Sequence, residues 1–235
     1  MTQVVSAMVF DAYGTLFDVY SVTALAERLA PGRGTALSLH WRAKQLEYSW
    51  LVSLMDPSPA AAATADFSIV TAQALDHAVA TLGLQFKDSE RNALLDSYLH
   101  LDAFADAPAA LAALAPRPRW ILSNGSQAML TPLVAQSPLA GELDGVLSVE
   151  TAGVFKPSPR VYRLAVERLG LPTSRIAFVS SNGWDAIGAK AFGFTTFWVN
   201  RTGAPVDRHG PPPDRTITTL DQLPGAVKAW EAASR

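Results

Sequence analysis

From residue 4 to residue 10 the chain reads Val-Val-Ser-Ala-Met-Val-Phe, an almost unbroken apolar run that stops on Asp11. A valine-rich run of this length predicts a short buried strand. Beyond residue 19 the period changes. Apolar positions recur at helical spacing over 21–30, 36–55, 66–84 and 88–101, punctuated by Pro31-Gly32, Pro57-Ser58-Pro59 and Gly83. This block predicts helices and no strand. The stretch 57–65, PSPAAAATA, reads as a loop that can run on into the next helix, because alanine favours helix.

After residue 100 helix and strand alternate. Helices are predicted over 107–115, 126–136 (interrupted by Pro132), 159–171, 183–193 (ended by Gly193) and 220–233; strands over 119–124, 145–150, 175–181 and 195–200. Alternation of this kind predicts an α/β fold: a doubly wound, mostly parallel sheet with an inserted all-helical subdomain. Residues 1–17 and 100–235 form the α/β core on this reading, and 18–99 the helical cap. Ligands bind outside the carboxyl ends of such strands. Four predicted strand ends carry polar groups: Asp11, Ser123-Asn124, Glu150 and Ser180-Ser181-Asn182.

Composition narrows the function classes. Two hundred and thirty-five residues suffice for one large domain or for a core with a smaller attachment. A net charge of −2 leaves no footprint for nucleic acid or an anionic membrane surface, and four scattered histidines make no zinc-type cluster. The absence of cysteine excludes disulfides and thiol catalysis, and fits a reducing compartment. The opening MTQVVSAMVFD has no basic flank and meets an acid early, unlike a signal peptide, and no apolar run is long enough to span a membrane. The expectation is a soluble, cytoplasmic protein.

A carboxylate ending a buried strand can be a nucleophile, a base, a metal ligand or a helix cap. Its neighbours add to that: Gly14 permits a tight turn, and Thr15 offers a hydroxyl to orient the carboxylate. In this context FDAYGTLFDV resembles the first motif of the haloacid dehalogenase superfamily. ILSNGS, FKPSPRVY and FVSSNGWDAIGAKAFGF resemble its second, third and fourth motifs, in order. WRAKQLEYSW resembles the arginine-bearing cap segment of the L-2-haloacid dehalogenases. The resemblance covers nearly the whole chain and implies a Rossmann-like core with a helical cap.

Two departures from the superfamily's phosphatases favour the dehalogenases. The position two residues after the nucleophile, an aspartate that serves phosphatases as general acid and base, is Tyr13 here; a halide leaves without a proton. The fourth motif reads VSSN, with only Asp185 nearby, a poor set of oxygen ligands for magnesium. No metal and no cofactor are expected.

The resemblance implies hydrolysis of (S)-2-haloalkanoates and haloacetates to (R)-2-hydroxy acids and halide, through an ester on Asp11 with one inversion at C2. Lys156 would keep Asp11 ionised. Arg42 and Asn124 would receive the halide. Ser123 would hold the substrate carboxylate. Thr15, Tyr162, Ser180 and Asn182 would support the nucleophile, and Asp185 would orient Lys156 or help activate water. Tyr13, Leu46, Phe67 and Trp184 would line an apolar wall. Tyr162 could equally be a helix-face core residue, and the group that activates water stays open. The family also implies a homodimer, with the apolar stripe of 40–55 as a candidate face, although the same stripe could pack within the insertion. The alternatives are a magnesium-dependent phosphatase of the superfamily and a non-enzymatic domain that kept the fold.

Overall fold

The structure is a computed structural model that describes residues 4–55 and 66–234; the stretch 57–65 lies outside the described residues. Among the described residues six strands pair side by side: β1 (Ala7–Phe10), β2 (Arg119–Ser123), β3 (Gly145–Ser148), β4 (Ile176–Ser180), β5 (Thr195–Val199) and β6 (Arg215–Ile217). Their order is β3-β2-β1-β4-β5-β6, and every pairing is parallel. The predicted mixture is thus fully parallel, and β6 is a strand that the apolar pattern did not announce.

A parallel sheet covered on both faces needs apolar side chains on both. β1, β4 and β5 meet that demand with every residue buried. The covering helices are α5 (Ala107–Ala113), α6 (Gln127–Ala135), α7 (Pro159–Leu169), α8 (Gly183–Phe192) and α9 (Leu223–Ala233), numbered after the four below. α6 continues through Pro132. The first strand begins at Ala7 rather than Val4: the backbone N–H of Val5 is taken by the Glu231 carboxylate instead of a sheet partner.

Among the described residues four helices lie in sequence between β1 and α5: α1 (Thr23–Leu29), α2 (Gly34–Met55), α3 (Phe67–Thr81) and α4 (Asp88–Ser97). α2 packs between α1 and α3. Trp41 of α2 is fully buried, and its indole N–H donates to the Thr71 carbonyl of α3 at 2.8 Å. No helix among the described residues is long and apolar enough to cross a membrane.

The strand order sets the site. β1 lies between β2 and β4, with Phe10 opposite both Ile121 and Val179. The loops after these three strands therefore open at the same edge, at the sheet's topological switch.

Candidate active site

The nucleophile candidate is built by its own turn. Asp11 continues the β1 direction, its N–H donating to the Val179 carbonyl of β4 at 2.9 Å. The chain then turns back through Gly14 at φ +89°, a conformation that costs other residues a Cβ clash. The turn returns the Thr15 hydroxyl to Asp11 Oδ2 at 3.0 Å. The last residue of β4 and the loop after it supply two more donors to the same oxygen: Ser180 Oγ at 3.4 Å and Asn182 Nδ2 at 2.7 Å. Thr15 Oγ1 also accepts from the Ser181 N–H at 2.8 Å, joining the two loops.

The other oxygen, Oδ1, receives the Lys156 ammonium at 3.2 Å. Lys156 is 1% exposed and also reaches Asp185 Oδ2 at 2.9 Å, while its ammonium lies 4.8 Å from the centroid of the Phe178 ring. Burial works against the charged lysine, but the two carboxylates outweigh it and hold its pKa above the ordinary value. Asp185 stands in the first turn of α8, entirely buried. Burial and the nearby Asp11 charge raise its pKa to about 6, against the opposing pull of Lys156 and of the Tyr162 hydroxyl, which donates to Asp185 Oδ1 at 2.7 Å. Tyr162 itself is fully buried, and desolvation holds its proton well above the tyrosine range. It reaches Asp185 across Gly188, where a Cβ would stand 2.7 Å from the Tyr162 oxygen and 2.6 Å from Pro157 Cβ.

Arg42 arrives from α2. It is 7% exposed and donates to the Tyr13 carbonyl at 3.4 Å and to Asn182 Oδ1 at 3.5 Å, so the guanidinium rests on the loops that hold Asp11. Asn124 lies beyond β2, its Oδ1 fixed by the Lys156 backbone N–H at 2.9 Å. Ser123 is buried, its Oγ accepting from the Gly125 N–H at 3.1 Å. Phe67 opens α3 and faces Tyr13 (ring centroids 5.8 Å apart) and Phe155 (5.9 Å). Tyr13 is buried, its hydroxyl has no partner among the described residues, and burial raises its pKa. It is therefore an apolar wall with one unsatisfied polar atom.

Leu46 is half-buried on α2. Trp184 packs edge-on against Trp50 (5.4 Å, 79°) and lines one cavity with Phe155, Lys156, Pro157 and His209. Glu150 stands in a 3-10 turn after β3, where its carboxylate caps the Gln127 N–H of α6 at 2.6 Å. One participant escaped the motif reading: Gln45, fully buried three residues after Arg42 and 2.7 Å from its Nη1. The i, i+3 spacing was the available signal.

Comparison with known proteins gives concordant relatives. A family model described as haloacid dehalogenase-like hydrolase matches residues 5–193. An (S)-2-haloacid dehalogenase of Pseudomonas sp. (strain YL) is 44% identical over 98% of this chain and 96% of its own. Haloacetate dehalogenase H-2 of Moraxella sp. (strain B) is 39% identical over 93% of this chain and 96% of its own. A solved L-2-haloacid dehalogenase from Xanthobacter autotrophicus, with chloropropionic acid covalently bound, superposes with a TM-score of 0.87 at 41% identity, covering 95% of this chain and 98% of that one.

Proposed function

This chain belongs to the haloacid dehalogenase-like hydrolases, and from that premise we propose that it hydrolyses (S)-2-haloalkanoates and haloacetates to 2-hydroxy acids and halide. The observation that carries the reading is one loop arrangement. A lysine-paired carboxylate, Asp11, and a guanidinium that pairs with no carboxylate among the described residues, Arg42, meet through the Tyr13 and Asn182 positions.

The two Asp11 oxygens are unequal. Oδ1 has Lys156 as its hydrogen-bond donor; Oδ2 has three donors. Oδ1 attacks C2 in line, the carbon–halogen electrons leave with the halide toward Arg42 and Asn124, and an ester forms on Asp11. Oδ2 becomes the ester carbonyl. Water then attacks the Asp11 carboxyl carbon, and the charge that develops on Oδ2 falls on Thr15, Ser180 and Asn182, already placed to donate. Collapse breaks the bond between the Asp11 carboxyl carbon and the substrate oxygen; one proton of the water passes to that oxygen and the other to solvent, which frees the 2-hydroxy acid and restores the Asp11 carboxylate. The carbon is attacked once, so (S) gives (R). Ser123 takes the substrate carboxylate, and Tyr13, Phe67, Leu46 and Trp184 the alkyl side. Residues 1–17 and 100–235 carry the nucleophile on this proposal, and 18–99 act as the cap that brings Arg42 over it.

The test is halide release from (S)-2-chloropropionate in EDTA, beside p-nitrophenyl phosphate with magnesium. Chloride and (R)-lactate in EDTA are expected. Phosphate release that requires magnesium, without chloride, would replace this reading with the phosphatase one.

The same assay has an expected pH profile. Asp185 binds its proton at about pH 6, above the ordinary aspartate value. Once protonated it no longer shares Lys156, whose full charge then bears on Asp11 and weakens it as a nucleophile. kcat should fall as the pH drops through that point and level off below it, because the protonated form is a weaker enzyme and not an inactive one. A profile flat down to pH 5 would remove Asp185 from this role.

The proposal extends to a cytoplasmic homodimer. The absence of cysteine suits a reducing compartment, and Leu51, Leu54 and Met55 of α2 lie exposed. Sedimentation at twice the 25.1 kDa chain mass is expected, and a monomer at assay concentration would reject the dimer.

A further inference from the structure

Arg42 is surrounded by acceptors that are all neutral: Gln45 Oε1 at 2.7 Å, the Tyr13 carbonyl at 3.4 Å and Asn182 Oδ1 at 3.5 Å. Among the described residues no carboxylate pairs with it. The outward face of the same helix shows the usual alternative. There Lys44 pairs with Glu47 at 2.7 Å, at the same i, i+3 spacing. On the inward face, where burial would make such an ion pair stronger, the chain places a glutamine.

That glutamine is anchored in one orientation. A guanidinium can only donate, so Gln45 Oε1 faces Arg42 and its Nε2 faces away. Nε2 donates to Thr71 Oγ1 of α3 at 2.7 Å, and the Thr71 hydroxyl in turn donates to the Phe67 carbonyl at 2.6 Å. Gln45 is fully buried and Thr71 2% exposed. The relay runs Arg42 to Gln45 to Thr71 to the first turn of α3, where Phe67 packs on Tyr13.

We propose that Gln45 is a positioning residue that aims the Arg42 guanidinium while leaving its charge uncompensated for the departing halide. A glutamate there would aim Arg42 equally well and neutralise it. An apolar residue would leave the charge but lose the aim. The proposal rests on the dehalogenase reading above and adds the residue that tunes it.

The test compares Gln45→Glu, Gln45→Leu and Thr71→Val with the wild type on (S)-2-chloropropionate and (S)-2-bromopropionate. Bromide leaves more easily, so it depends less on Arg42. Gln45→Glu should lower kcat on the chloro substrate by about 100-fold, the size of one lost oxyanion-type donor, and on the bromo substrate by only about tenfold. Chloride inhibition should weaken in parallel. Thr71→Val should move the bromo-to-chloro ratio in the same direction by about threefold, through the lost anchor for Nε2. A purely structural role predicts equal losses on both substrates, with the ratio unchanged. A folded Gln45→Glu enzyme with the wild-type ratio therefore overturns the proposal. If Gln45→Glu does not fold, an unchanged ratio in Thr71→Val overturns it. A wild type that releases neither halide overturns the dehalogenase reading itself, a distinct result.

Discussion

Asp11→Asn is expected to release no halide above background from any 2-haloacid, a loss of at least about 10⁴-fold, as removal of an enzyme's nucleophile typically causes. The substitution is close to isosteric. The amide oxygen still accepts from Thr15, Ser180 and Asn182, and Lys156 still has Asp185 at 2.9 Å. Folding should therefore be retained, which separates lost chemistry from lost structure. The check is halide release together with the thermal unfolding profile of the same preparation. A folded variant that still turns over at a tenth of the wild-type rate would mean that water, not Asp11, attacks C2.

Lys156→Met is expected to lose both activity and stability. The lysine is the ammonium between two buried carboxylates, Asp11 at 3.2 Å and Asp185 at 2.9 Å. Removing it leaves two like charges in a desolvated site, at a cost of about 3–5 kcal/mol. The folded variant can relieve this only by binding a proton, so its carboxyl pKa lies above the unfolded value. The sign follows: the folded state binds more protons than the unfolded one, and stability falls as pH rises from 5 to 8. Urea unfolding at the two pH values checks it. Activity should fall by about 10²-fold or more, because Asp11 Oδ1 loses the ammonium that holds it in place for attack. Equal stability of variant and wild type at pH 8 would show that the carboxylates do not depend on Lys156.

Gln45 and β6 show where pattern reading stops. The long runs were legible: valine-rich 4–10 announced β1, and the alternating segments after residue 100 announced the strands and helices of the core. β6 was not, because Arg215-Thr216-Ile217 is short, two of its three residues are exposed, and it is a strand only by pairing with Phe197–Val199 of β5. Strand preference of this kind comes from the neighbour rather than from the segment. Gln45 was missed for a related reason. On a helix that also buries Ser38, Arg42 and Ser49, a glutamine reads as solvent-facing until the helix opposite it is known.

The candidate site divides along the same line. Asp11, Thr15 and Gly14 belong to one turn, so their association is local and could be read from five residues. The other partners of Asp11 are remote. Lys156 lies 145 residues away and Asn182 171, and Arg42 meets Asn182 across 140. Motif order could nominate these residues through resemblance to a family. It could not say that Tyr162 would reach Asp185 over Gly188, or that Arg42 would meet neutral acceptors in Gln45, Tyr13 and Asn182. The chain's own periodicities set which segments are strands and helices, because backbone hydrogen bonding and side-chain direction repeat at 2 and 3.6 residues. Which carboxylates share one ammonium, and which cation is left with its charge available, depended on the parallel order of β2, β1 and β4 and on how α2 settles against α3. Burial there removes the water that would otherwise screen every one of those charges.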